Sequence, residues 1–361
     1  MKCVCISCFN HYSTRMKAIT EYFDKAGYET TYLISDYDHY SKNPLVTDHP
    51  NTEQIHVPAY KRNLSIRRLW SHYVFAKKVY KTLCSIKPEI VYCMFPPNSL
   101  VQQVVRYKRR TGAKLLLDCY DMWPESFPYQ NYSHLLWIPF ITWRKLRDDY
   151  VTKSDLLLCV SKAAENELRR IAPNVPIKIL TPFVDVNMNN TYNSNVEGTI
   201  TFCYLGNINH ITDIQLGVHF LSLLQKRKPT TLHIIGGGQN LDIFTTQLIR
   251  NKVKVICHGV VFDIKEKSSI YSLCNFGLSI PRKEINSTMP LKVVEYLGCG
   301  LPVVNSAGGD ISEIIGEYQA GININSEESE NAVAKILALT EADVVQMHQN
   351  ALKVYTKLFK G

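Results

Sequence analysis

No stretch of this 361-residue chain reaches the roughly eighteen unbroken apolar residues that a membrane-spanning helix needs, so the expectation is a protein that does not cross a bilayer. The opening run from Met1 to Phe9 is soon interrupted by Asn10 and His11, too short for a signal peptide, and reads as a core strand. Low-complexity tracts and repeats at solenoid periods are missing, which argues against disorder and against repeat architectures. After residue 190 there is no D-x-D acidic pair. Gly236-Gly-Gly238 falls short of a full G-x-G-x-x-G, and no acidic residue stands on a strand end about 20 residues beyond it, which excludes a nicotinamide fingerprint. Cysteine is not scarce, but its eleven copies are scattered through apolar runs, as reduced cytoplasmic thiols are. Cys5 and Cys8 form a C-x-x-C without a second pair at zinc spacing, so no metal site is expected.

What is present is a chain of two-domain length, 45% hydrophobic and 20% charged. The formal charge of +9 is one-sided. Residues 1–190 hold 26 Lys and Arg against 17 Asp and Glu, while the remainder holds 15 of each. A basic half next to a neutral half points to a polyanionic partner such as an anionic membrane surface; no nucleic-acid-binding motif accompanies the cations, so a nucleic acid is not expected. Two segments join cations to aromatic residues. One runs from Lys61-Arg62 through Arg67-Arg68-Leu-Trp70 to Lys77, Lys78 and Lys81; the other spans 135–147 with Trp137, Phe140, Trp143, Arg144, Lys145 and Arg147. Both suit docking at a lipid interface. For the second, the aromatic residues could instead fill the domain's core.

The first half alternates strand-like and helix-like segments: strands at 3–9, 30–34, 90–94, 114–119, 155–160 and 177–180, helices at 13–26, 66–85, 99–109 and 162–171. That alternation implies a parallel sheet with helices on both faces. The polar, Asn-rich stretch 187–195 reads as an interdomain connection. A second alternation opens at Thr199–Gly206 and continues through strands at 231–235, 254–257, 277–280, 301–304 and 321–324. The expected fold is α/β, with two Rossmann-like doubly wound domains. Domain 1–190 would face acceptor and membrane, domain 191–345 would bind a nucleotide sugar, and 346–361 would be a C-terminal helix packing back on the first domain. Ligands of such sheets bind at the carboxyl ends of the strands, where this chain places Gly206-Asn207, Gly236–Gly238, Gly259-Val260 and Arg282-Lys283.

The most telling segment is 287–304. Ser287 and Thr288 are helix N-cap types, Pro290 suits the first helical position, and Gly298 and Gly300 end the helix before an apolar strand. A helix start of this kind, at Met289, Pro290 and Leu291, offers unpaired, partly positive N–H groups to a diphosphate. Lys292 adds a cation, and Glu295 can accept two hydrogen bonds from a vicinal diol such as a ribose. The alternative is a plain surface ion pair between Lys292 and Glu295.

With its Tyr204-Leu-Gly206-Asn207, His258-Gly259-Val260, Pro290–Val304 and Ser306–Glu313 segments in this order, the chain resembles the retaining glycosyltransferases of family 4, which have the GT-B fold of two domains facing across a cleft. Leu117-Asp118-Cys-Tyr-Asp121-Met-Trp123-Pro124-Glu125-Ser126 looks like a motif of the group 1 members that build surface polysaccharides. The resemblance implies that Glu295 binds the nucleotide's ribose, that Gly206, Asn207 and the helix beginning near Pro290 surround the diphosphate, and that Gly259 and Val260 face the base. The family's earlier glutamate, eight positions before the ribose one, is Ser287 here, with Glu284 nearby. The basic pair after its first glycine loop is absent, leaving Arg282, Lys283 and Lys292 as substitute cations. Asp118 and Asp121 would orient the acceptor or act near the anomeric carbon, with Lys292 completing the catalytic set; equally, Asp121-Met-Trp-Pro could be a turn locked by Trp123. The implied activity moves a sugar with retention from a UDP- or GDP-sugar to a lipid-linked saccharide in capsule, exopolysaccharide or O-antigen assembly. No resident cofactor or metal is expected, and the implied place is the cytoplasmic face of the cell membrane. A sugar-nucleotide epimerase or hydrolase of the same fold is the competing reading.

Overall fold

A computed structural model describes the chain except for residues 11–12, 40, 48–50, 64, 126–132, 183, 185, 187–191, 284–288 and 361, and the side chains of 13 and 133–139. It divides into two compact units, Met1–Thr181 and Pro182–Gly361, so the boundary falls about nine residues before the expected one.

The first unit is built as β1 (Lys2–Ser7), α1 (Ser13–Lys25), β2 (Glu29–Ser35), β3 (Thr52–Ile55), α2 (Ile66–Ile86), β4 (Ile90–Phe95), α3 (Asn98–Thr111), β5 (Lys114–Cys119), α4 (Ser133–Val151), β6 (Leu156–Cys159), α5 (Lys162–Ile171) and β7 (Ile177–Ile179). Its seven strands are parallel in the order β3-β2-β1-β4-β5-β6-β7. Central strands such as β4, Ile-Val-Tyr-Cys-Met-Phe, are near-continuous apolar runs because helices cover both faces of the sheet. Ser65 caps α2 and Ser161 caps α5, each accepting a hydrogen bond from the N–H three residues on.

The second unit follows as β8 (Ile200–Leu205), α6 (Ile214–Gln225), β9 (Thr230–Ile235), α7 (Leu241–Arg250), β10 (Lys254–Gly259), α8 (Ile264–Tyr271), β11 (Phe276–Ser279), α9 (Leu291–Gly298), β12 (Val303–Asn305), α10 (Asp310–Tyr318), β13 (Gly321–Asn323), α11 (Ser329–Ala338) and α12 (Glu341–Leu358). Its parallel order is β10-β9-β8-β11-β12-β13. The C-terminal helix expected at 346 begins earlier, at Glu341, behind a Thr340–Asp343 capping box, and packs on α9 and α10 of its own unit.

In both sheets the strand order reverses once, between β1 and β4 and between β8 and β11. Loops leaving neighbouring strands in opposite directions open a crevice at such a point. In the second unit those loops are 206–213 and 280–290, which contain the glycine, Arg282, Lys283 and Pro290 positions singled out by sequence.

Candidate functional site

Three loops of the second unit are stitched together by backbone. Gly206 N–H donates to the Ile235 carbonyl (2.8 Å), Ile208 N–H to Gly237 (2.7 Å), and Gly236 N–H to Gly259 (2.6 Å). Gly236 adopts φ +142°, and a Cβ there would lie 2.1 Å from the Gly206 carbonyl oxygen, so no other residue lets the β8 and β9 loops come this close. On the other side, Asp213 N–H donates to Ile280 and Arg282 N–H to Ile211, tying the β8 loop to the β11 loop.

Helix α9 closes this corner. It starts one residue later than expected: Pro290 is its N-cap, with φ −65° and ψ 122°, and among the described residues no side chain caps the helix. The Val293 N–H donates to the Pro290 carbonyl (2.9 Å), while those of Leu291 and Lys292 have no acceptor among the described residues and can meet an anion. The Lys292 ammonium lies 4.0 Å from the centroid of the Tyr204 ring, a cation–π contact, and a Cβ on Gly206 would sit 3.6 Å from its Nζ. Lys292 thus stands directly over the first glycine of the β8 loop, at the reversal point of the sheet.

Glu295 faces the other way and inward. Its side chain is buried, and Oε1 accepts hydrogen bonds from Lys267 Nζ (2.6 Å) and from the Tyr271 hydroxyl (2.8 Å), both on α8. Burial and the adjoining carboxylate raise the Tyr271 pKa far above the ordinary tyrosine range, so it stays a donor. Among the described residues nothing donates to Oε2, which leaves one carboxylate oxygen for a ligand hydroxyl. The next residue fixes the helix: Leu205 N–H donates to the Tyr296 hydroxyl (2.6 Å), and the Tyr296 ring lies so close to Gly277 that a Cβ there would meet it at 2.4 Å. The surface Lys292–Glu295 pair is absent, because each side chain has a different partner.

The remaining expected positions fall around this core. Asn207 is exposed, with its side chain against Gly238; Gly259 (φ +70°) and Val260 are exposed at the end of β10. Arg282 and Lys283 are exposed, Met289 is buried and Leu291 half-exposed. Ser287, Thr288 and Glu284 lie outside the described residues. Sequence reasoning missed Tyr204, Tyr296, and the pair Lys267 and Tyr271; the last two stand four residues apart on one face of α8, a spacing that periodicity could have flagged.

The first unit corrects the reading of Asp118. Asp118 is wholly buried, and its oxygens are taken by a bidentate Arg15 (2.6 and 3.0 Å) and by the Tyr92 hydroxyl. A carboxylate saturated in this way anchors the sheet to α1 and is not presented to an acceptor. Asp121 is half-buried and accepts from the Trp123 indole N–H (2.9 Å). Trp123 in turn packs with Phe9, His72 and Trp143 beneath the Arg68 guanidinium, which holds this turn in place. Burial and nearby Arg68 push the His72 pKa well below 6.5, keeping it neutral.

Helix α4 divides its aromatic residues and cations: Phe140 is buried, Trp143 packs on Trp123, and Arg147 is wholly buried, whereas Ile141, Arg144 and Lys145 are exposed. Arg147 forms a bidentate pair with Glu125 and a further bond to the Trp123 carbonyl, while Arg144 shares Glu125. The side chain of Trp137 lies outside the described residues.

Both units match known families. Residues 13–188 match the model described as Glycosyltransferase Family 4, and residues 199–342 match Glycosyl transferases group 1. No curated protein matches in sequence. Among solved structures the fold is shared with sucrose-phosphate synthase from Thermosynechococcus elongatus (TM-score 0.75, 13% identity, 99% of this chain and 95% of that one). It is also shared with Anabaena HepE in complex with UDP (0.68, 17%, 99% and 96%) and with WaaG, a glycosyltransferase involved in lipopolysaccharide biosynthesis (0.68, 13%, 98% and 95%).

Proposed function

We propose that this chain, a glycosyltransferase of the GT-B fold by its two domain matches and its structural neighbours, moves a sugar with retention from a nucleotide sugar to a lipid-linked saccharide during surface-polysaccharide assembly. The observation that carries the donor half is the divergence of Lys292 and Glu295 on one turn of α9. Lys292 stands over Gly206 with the open helix start, where a diphosphate would sit, and Glu295 keeps one oxygen for a ribose hydroxyl. A uridine diphosphate sugar is the favoured donor, since HepE was solved with UDP and with UDP-glucose. The chain would work at the cytoplasmic face of the cell membrane, with the nucleotide sugar as co-substrate and without a resident cofactor or metal.

In the transfer, the bond between the anomeric carbon and the diphosphate oxygen breaks and negative charge grows on the departing diphosphate. The α9 amides and the Lys292 ammonium stabilise that charge more in the transition state than in the bound donor, which lowers the barrier. Arg282 and Lys283 supply further positive charge from the β11 loop. Asp121, half-buried beside Trp123, would orient the acceptor. Product analysis tests the reading: UDP released only when a lipid-linked acceptor is added supports a transferase, whereas UDP released equally without acceptor, or an epimerised nucleotide sugar, contradicts it.

A further inference from the structure

Helix α2 carries a face that the transfer reaction does not use. Its inner side, Arg68, Ser71, His72, Phe75, Ala76, Val79 and Leu83, is buried in the first unit. On the opposite side Ile66, Leu69, Trp70 and Tyr73 are exposed at 86%, 49%, 56% and 41%, spaced so that they form one stripe. Trp70 and Tyr73 stack on each other (5.6 Å, 26°), and Lys77 extends the stripe by lying over the Tyr73 ring (5.4 Å). Four large apolar side chains in water on one face of a basic helix call for a partner.

Charge identifies the partner. Helix α3 packs beside α2, and together their sequences hold nine Lys and Arg and no Asp or Glu. Lys108 is taken by Asp155, and Lys78 donates to the His56 carbonyl. Arg67, Lys77, Lys81, Arg106 and Arg110 enter no ion pair among the described residues; Arg106 lies over the Tyr80 ring, next along the same side of α2. A second copy of this face would be repelled, and a nucleic acid would leave Ile66 and Leu69 unburied. Interfacial helices use this combination: aromatic and aliphatic residues enter the headgroup boundary while cations meet anionic lipid.

We propose that the outer face of α2, with the cations of α3 beside it, is an anionic-membrane docking surface, and that α2 rather than α4 makes this contact. The proposal stands apart from the donor chemistry and is tested without a sugar substrate. The full chain is sedimented with vesicles of phosphatidylcholine alone or mixed with phosphatidylglycerol. We expect at least about tenfold stronger partitioning onto the mixed vesicles, abolished by high salt. Trp70→Ser with Leu69→Ser should remove most binding, and Lys77→Glu with Lys81→Glu should abolish the preference for anionic lipid. Trp70→Phe should keep binding but lose the blue shift of tryptophan fluorescence on vesicles. Leu69, Trp70 and Lys81 are exposed and Lys77 is only partly buried, so the thermal midpoint and UDP binding should match wild type, separating failure of docking from failure of the donor site. Equal partitioning onto both vesicle types, no binding to either, or wild-type binding by both double variants overturns the proposal.

Discussion

Among the described residues the two units bury one carboxylate each near the sheet reversal, and they treat it differently. Asp118 in the first unit is sealed from water, with Arg15 and Tyr92 occupying both oxygens. Glu295 in the second has a single oxygen held by Lys267 and Tyr271, and its neighbour Lys292 is turned to the glycine loops. An acid with no acceptor capacity left serves folding; an acid half satisfied and held rigid is prepared for a ligand. The same contrast divides the cations: Arg15 and Arg147 are consumed inside the first unit, while Arg67 and Lys81 of α2 and Arg106 and Arg110 of α3 stay exposed.

Asp118→Ala should produce the largest change. It strands the Arg15 guanidinium in the core, and breaking a buried pair costs about 3–5 kcal/mol, measured as a lower denaturant midpoint. Lys292→Ala should leave that midpoint unchanged and reduce kcat by about 10²–10³-fold, read from UDP release with acceptor present. Wild-type kinetics in this variant would remove its assigned role. Lys267→Met should weaken UDP binding by about tenfold, or about 1.4 kcal/mol. Glu295 would then be buried without its counter-cation.

The smallest effect sits behind α9. His348 is buried against Tyr192 (3.9 Å, 14°), bonds the Gly300 carbonyl, and burial pushes its pKa from 6.5 down to about 4. The folded chain therefore binds this proton less readily than the unfolded chain. Stability is full above pH 6.5 and declines as the pH falls toward about 4, where both states are protonated. Denaturation midpoints across that window should show a steeper decline for wild type than for His348→Phe.

Much of the architecture was legible in the sequence because strand and helix periods alternate cleanly; α2, β5 and α5 lie within a residue or two of their expected ranges. Strand β3, Thr-Glu-Gln-Ile, was not, since it is a short edge strand with little apolar content to mark it. The Pro290–Glu295 segment was readable because its chemistry is local. What Lys267 does to Glu295, or Arg15 to Asp118, was hidden, since those partners lie 28 and 103 residues apart and meet only through the sheet order. The inward place of Arg147 was hidden for a related reason: Glu125, outside the helix, pairs with it.

Calorimetric titration of UDP into wild type and into Glu295→Ala, with circular dichroism confirming that both are folded, tests the central claim most directly. We predict saturable binding to wild type and a loss of at least about tenfold in affinity for the variant. Equal affinities would contradict the assignment of Glu295 and of the corner built around it.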